Sequence, residues 1–250
     1  MNFSAIVPVD VLKGAIEPVY ALVDECKVRL TDDSLTIRAV DPANVGMVDI
    51  ELDASAFESY NVEGDLLIGI NLDRLTDVLS MGSSGEFVSL GLDEEARKLE
   101  MEITELSYTM SLIDPDTIRQ EPDIPDLELP ARIVLAGDDL SHGIKAADLV
   151  SEHIRLVVDE QAKEFHIKAE GDTDDIDLTL GDDELLAANV DDDANSLFSL
   201  EYLKDMSTPM GSDTSVALLV GTEFPMKMRY SLQNGHVEVV NMLAPRISSE

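Results

Sequence analysis

Cysteine is nearly absent from this 250-residue chain. Cys26 stands alone, so no internal disulfide can form, which fits a reducing compartment. No run of about 18 apolar residues occurs, so no membrane-spanning helix is expected. The N-terminal MNFSAIVPVDVLKG lacks a basic region followed by an apolar stretch, so no secretory leader is expected either. The histidines are His142, His153, His166 and His236, and none stands at HExxH or another metal-ligand spacing. There is no glycine-rich phosphate loop and no GxSxG elbow. Cys26 sits between Glu25 and Lys27 with no evident base partner and reads as structural. No catalytic residue, cofactor or metal is therefore expected.

Basic residues are also scarce: 17 against 52 acids, for a net charge of −35. Three explanations compete. Disorder conflicts with the 44% apolar content and the clear strand patterns. A mimic of nucleic acid, or a partner for basic proteins, would also be acidic. Adaptation to molar salt spreads acids over the whole surface, and at 1 M the Debye length is about 3 Å, so they barely repel. The acids here occur along the whole chain and only eight residues are lysine, which favours salt adaptation. Calcium binding fares worse. Asp191, Asp193 and Asn195 imitate the start of an EF-hand loop, but Ser196 stands where glycine is needed and Tyr202 where glutamate is needed. Asp172–Asp177 fails at Ile176, so both runs read as solvated loops.

The stretch Thr117–Arg132 holds Pro122, Pro125 and Pro130 within nine positions. It cannot be a helix and reads as an extended connector. Before it, the pattern predicts a strand at Phe3–Val7. A helix follows with Asp10 as N-cap and Val11, Leu12, Ala15, Ile16, Val19, Leu22 and Val23 at helical spacing, kinked or shortened by Pro18. Strands follow at Lys27–Leu30, Leu35–Val40, Val45–Leu52 and Leu66–Ile70, then a helix at Leu72–Met81. Strands at Phe87–Leu92, Leu99–Thr104 and Tyr108–Ile113 close the half. After the connector come a strand at Ile133–Ala136 and a helix capped by Asp138 or Asp139 with Leu140, Ile144, Ala147 and Val150 on one side. Strands Ile154–Val158, Phe165–Ala169 and Ile176–Leu180, a helix at 200–206, and strands Val216–Val220, Pro225–Leu232 and Gly235–Asn241 complete it.

The halves align. Leu12 and Leu140, Ile16 and Ile144, Leu72 and Leu200, and Leu75 and Leu203 are each 128 apart. A fixed offset signals tandem duplication. The expected fold is α+β: two domains, each with two helices packed on antiparallel sheet. The expected bounds are 1–116, a connector at 117–132, 133–247, and a tail at 248–250. Lys13, Arg74, Lys145 and Lys204 fall one on each helix, on the side away from the apolar stripe. They could form a weakly basic surface for a polyanion, or be ordinary solubilising residues, as Lys13 beside Glu17 suggests.

Leu35-Thr-Ile-Arg-Ala-Val-Asp-Pro-Ala-Asn-Val-Gly-Met-Val48 resembles the first-domain signature of the archaeal and eukaryotic DNA sliding clamp, the proliferating cell nuclear antigen family. Leu243-Ala244-Pro245-Arg246-Ile247 is similar to that family's closing motif, Ile124-Pro125 to its interdomain loop, and Phe224-Pro225 to the start of its penultimate strand. The likeness runs from Phe3 to Ile247, and the acidity resembles that of salt-adapted archaeal members.

The resemblance implies a closed homotrimeric ring of six domains around duplex DNA, working as a polymerase processivity factor. It implies a subunit interface between Tyr108, Met110, Leu112 and Ile113 on one edge and Ile176, Leu178 and Leu180 of the next copy. It implies a partner-peptide pocket under the connector, lined by Val40, Asn44, Val45, Ile124, Pro225, Met242, Ala244 and Pro245, with Asp41 in a loader and partner contact. The implied partners are DNA polymerase, flap endonuclease, DNA ligase and an ATP-driven clamp loader, in the cytoplasm of an archaeal-type cell. The chain departs from the family at Asp77 and Ser80, where lysines are common, so DNA contact at Lys13, Arg74, Lys145 and Lys204 is expected to be weak. Two other classes stay open: an acidic monomer that sequesters a basic partner, and a metal-dependent enzyme built on acidic clusters. The first predicts no ring. The second predicts a defined metal stoichiometry.

Overall fold

The computed structural model describes residues 2–121, 123–124 and 127–246. Pro122, Pro125 and Ile247, and the tail 248–250, lie outside the described residues. The chain forms two compact units. The first comprises Met1–Pro42, Met47–Pro122 and Ser231–Val239; the second comprises Ala43–Gly46, Asp123–Tyr230 and Val240–Glu250.

In the first unit the order is β1 (Phe3–Pro8), α1 (Val9–Tyr20), β2 (Glu25–Leu30), β3 (Ser34–Val40), β4 (Gly46–Asp53), β5 (Ser59–Val62), β6 (Leu66–Asn71), α2 (Leu72–Ser80), β7 (Phe87–Asp93), β8 (Lys98–Ile103) and β9 (Leu106–Ser111). One antiparallel sheet runs β5-β1-β7-β8-β9. In a second layer β2 pairs with β6 and β3, and β3 with β4. Alternating side chains such as Cys26, Val28 and Leu30 point inward and are buried, while Glu25 and Arg29 are exposed. The helices seal the core with Leu12, Ile16 and Val19 from α1 and Leu72, Leu75 and Leu79 from α2.

The second unit repeats this with β10 (Ala131–Ala136), α3 (Gly137–Ala147), β11 (His153–Asp159), β12 (Glu164–Glu170), β13 (Asp175–Gly181), β14 (Ala187–Val190), β15 (Ala194–Ser199), α4 (Leu200–Ser207) and β16 (Ser215–Val220). β17 (Met226–Leu232) and β18 (Val237–Leu243) follow. β10 pairs with β14 and β16, β16 with β17, and a four-stranded sheet runs β13-β12-β11-β15. Phe165, Ile167 and Phe198 are fully buried beneath the helices.

The structure corrects several expectations. Asp10 is not an N-cap: α1 starts at Val9, whose N–H donates to the Glu86 carbonyl. Asp10 instead accepts from the Ser84 hydroxyl and the Gly85 N–H. Neither Asp138 nor Asp139 caps α3, because the N–H groups of Gly137 and Asp138 find the carbonyls of Thr214 and Ser212. A backbone acceptor from a neighbouring loop does the work of a capping side chain. Leu22, Val23 and Val150 lie beyond their helices. Pro18 is tolerated near the end of α1, which stops two residues later.

The 191–202 run is no loop, since Asn195 lies in β15 and Tyr202 in α4, and Asp175–Asp177 lie in β13. Within the connector, Thr117 closes a 3-10 turn and Ala131 and Arg132 already belong to β10.

The strand expected at Tyr108–Ile113 ends at Ser111. Leu112 donates its N–H to Arg97, and Ile113 bridges to Gly69. Only glycine fits there, since a Cβ on Gly69 would stand 2.5 Å from the Ile113 carbonyl oxygen.

Candidate functional site

Among the described residues β9 and β13 are two of the six strands that end a sheet. β9 is the last strand of its sheet and β13 the last of its own, each with one neighbour among the described residues. An edge of this kind is a template for another strand unless something covers it. Of the expected interface residues, Met110 and Leu180 are buried within their own units. Tyr108, Leu112, Ile113, Ile176 and Leu178 are half-buried. On β13, burial opposes the charge of Asp177, but hydrogen bonds from Lys168 (2.9 Å) and His166 (3.1 Å) outweigh it and hold the carboxyl below its ordinary range.

Two further residues beside these edges escaped the sequence reading. Met81, 66% exposed, follows α2, and the adjoining Gly82 packs on Ile103, which pairs with the first residue of β9. Leu149, 83% exposed, follows α3, and the carbonyl of the next residue, Val150, abuts Gly171 in the β12–β13 turn. Both fall off the apolar stripe of their helix, and a large apolar residue out of phase is the signal that could have found them.

Lys13, Arg74, Lys145 and Lys204 lie on α1 to α4 as expected. Lys13 is half-buried and donates to the Gly82 carbonyl, and Lys204 pairs with Asp148 at 2.7 Å. Arg74 and Lys145 are exposed. The four helices also carry Asp10, Glu17, Asp73, Asp77, Asp138, Asp139, Glu201 and Asp205, so acids outnumber bases two to one. Burial, reinforced by the Glu201 charge, raises the Asp205 carboxyl above its ordinary range. These helices offer little to a phosphate.

Of the expected pocket residues, Val40 ends β3 and Asp41 is buried, both in the first unit. Asn44, Val45, Ile124, Pro225, Met242, Ala244 and Pro245 all belong to the second. There the Ala244 N–H donates to the Val45 carbonyl, and the Arg246 N–H to Leu197. These bonds tie the C-terminal segment to the 43–46 loop and to β15. Asn44 adopts a left-handed conformation, φ 58°, and is exposed. Val45, Ile124, Pro225, Ala244 and Pro245 are half-buried, and Met242 is 6% exposed. Half-buried apolar groups around a tied-down loop suit a short apolar segment of a partner.

No cluster of three or more metal-ligating side chains occurs among the described residues. Burial pushes the Cys26 thiol up to about 12, with help from Glu25, so it stays protonated and inert. No helix among the described residues is long and apolar enough to cross a membrane.

Comparison with known proteins places this geometry in a family. A profile described as "Proliferating cell nuclear antigen, N-terminal domain" matches residues 4–117. The DNA polymerase sliding clamps of Natronomonas pharaonis and Haloarcula marismortui are each 54% identical over 248 residues, 99% of this chain and 100% of theirs. A solved structure of the C-terminal region of FEN-1 bound to A. fulgidus PCNA superposes with TM-score 0.93 at 35% identity, covering 99% of this chain and 100% of that one. The chain belongs to the DNA sliding clamp family of archaea and eukaryotes, the proliferating cell nuclear antigen family, and resembles its salt-adapted archaeal members.

Proposed function

We propose that this protein is a polymerase processivity factor that closes into a homotrimeric ring around duplex DNA and performs no chemistry itself. The observation that carries this reading is that β9 in one unit and β13 in the other each end a sheet and bear half-buried apolar side chains, Tyr108 on β9 and Ile176 and Leu178 on β13. One chain's β9 meets the next chain's β13, and a head-to-tail contact that closes makes a ring. Met81 and Leu149 flank the two edges and pack across the same contact. The pocket around Val45, Pro225 and Met242, with Val40, Asn44, Ile124, Ala244 and Pro245, takes partner peptides from DNA polymerase, flap endonuclease and DNA ligase. Asp41 serves the clamp loader, which opens the ring at the cost of ATP, in the cytoplasm of an archaeal-type cell.

Topology, not charge, holds the DNA. With a charge of −35 and acid-rich helices, direct attraction to phosphate is small, and molar salt erodes each lysine–phosphate contact further. The same salt screens the repulsion that would otherwise keep the duplex out. Short linear duplex is therefore expected to show no stable binding between about 0.2 and 3 M KCl, a range over which the screening length falls below 3 Å. Rings loaded onto nicked circular DNA should stay through gel filtration and run off once the circle is cut. A tight, salt-resistant complex with a short duplex would overturn the topological account.

A further inference from the structure

A cleft of about 340 Å³ opens within the first unit, between the chain that follows α1, the outer face of β2 and β3, and the segment 118–120. Its walls mix aliphatic groups, Leu22, Val23 and Ile118 among them, with three bases, Lys27, Arg38 and Arg119. Arg29 stands two residues from Lys27 on the same face of β2 and pairs with Glu121. Three of the first unit's eight bases thus share one sheet face, and Arg119 joins them from the segment 118–120, in a chain whose net charge is −35.

The bases are held in different ways. Arg38 makes a two-point pair with Asp49 at 3.1 and 3.2 Å. Arg119 donates to the carbonyls of Asp41 and Pro42, which position the guanidinium. Lys27 is half-buried and makes no ion pair among the described residues. Asp24 and Glu25 are the acids lining the cleft.

We propose that this cleft receives an acidic flank of the partner peptide: one or two carboxylates beside an aliphatic side chain, with Lys27 as the main cation. The inference rests on the peptide-pocket reading above, whose expected residue Val40 also lines this cleft. If the acidity is a response to salt, proteins sharing that salt are acidic too. Two such surfaces repel, and a carboxylate-bearing segment can approach only where bases are concentrated. Exposed ion pairs fade in molar salt, but pairs in a partly enclosed cleft are screened much less. The aliphatic wall adds contact that salt strengthens. An acidic flank would be disfavoured nearly everywhere else on this protein, so the cleft also sets register.

The test uses one synthetic peptide from the C-terminal region of a flap endonuclease, extended at either end by four glutamates, four serines or four lysines. Affinity is read by fluorescence anisotropy in about 2 M KCl, where the screening length is below about 3 Å. On the wild-type protein the glutamate form should bind about fivefold tighter than the serine form at one of the two ends. Lys27→Glu should abolish or reverse that preference and leave the serine form unchanged. Equal affinity for glutamate and serine forms, a preference for lysine, or a glutamate preference that survives Lys27→Glu would each overturn the proposal. Met242→Asp should weaken all three forms alike, which separates pocket from flank. If no form binds the wild-type protein, the pocket reading fails and this inference falls with it.

Discussion

Replacing Met242 with aspartate is expected to weaken partner-peptide binding by about thirtyfold or more, with ring assembly intact. Met242 is 6% exposed, near the C-terminal segment that hydrogen-bonds to Val45. A carboxylate there must either face the peptide's apolar anchors or stay hydrated and exclude them. Burying an unpaired polar group costs on the order of 2 kcal/mol or more, which is the expected factor. Met242→Ala removes contact without adding charge and should cost about tenfold, in line with loss of one apolar anchor contact. Titration of a fluorescent flap-endonuclease peptide checks both, with circular dichroism to confirm that the variants fold. Unchanged affinity in Met242→Asp would place the pocket elsewhere.

The second large effect concerns assembly. Leu149→Asp, alone or with Met81→Asp, is expected to turn most of the trimer into monomer at micromolar protein, without lowering the unfolding midpoint of the monomer. Both residues are mostly exposed in the single chain, so neither supports its core. The proposed ring contact covers them, so each aspartate would bring a desolvated charge to a contact between two strongly acidic subunits. The double variant should not be rescued by raising salt to about 3 M, because screening leaves the desolvation cost in place. Sedimentation velocity at several concentrations gives the answer. A variant that stays trimeric would mean that these side chains are spectators.

Much of the architecture was legible in the chain, for identifiable reasons. α2 has apolar residues in phase at Leu72, Leu75 and Leu79, and Asn71 accepts from the Arg74 N–H as a cap. The caps of α1 and α3 were misread because their first N–H groups are satisfied by carbonyls far along the chain, at Glu86, Ser212 and Thr214. Nothing local announces such a partner. β5 and β14 were missed because SYNV and AANV are short and weakly apolar. They are nonetheless repeats of one another at the 128-residue offset, as β6 and β15 are, so the duplication carried the information. The extent of the compact units was not legible: residues 231–239 pack with the first unit although they lie far into the second half.

The candidate site was less readable than the fold. Its residues come from near 40, 124, 225 and 242, and no periodicity links them. Only the family resemblance joined them in advance. Met81 and Leu149 left a local trace, as apolar residues out of phase with their helices. The basic cleft around Lys27 left none, because β2, β3 and the start of the connector meet only in the folded unit.

The most direct test of the account is the mass of the wild-type protein in solution by multi-angle light scattering, in about 2–3 M KCl and again in dilute buffer. A closed trimer of the 27.3 kDa chain predicts about 82 kDa at high salt. Dissociation should follow as the screening length grows toward about 10 Å and each subunit's charge of −35 is felt by its neighbours. A 27.3 kDa monomer at every salt and protein concentration would contradict the ring, and with it the topological hold on DNA.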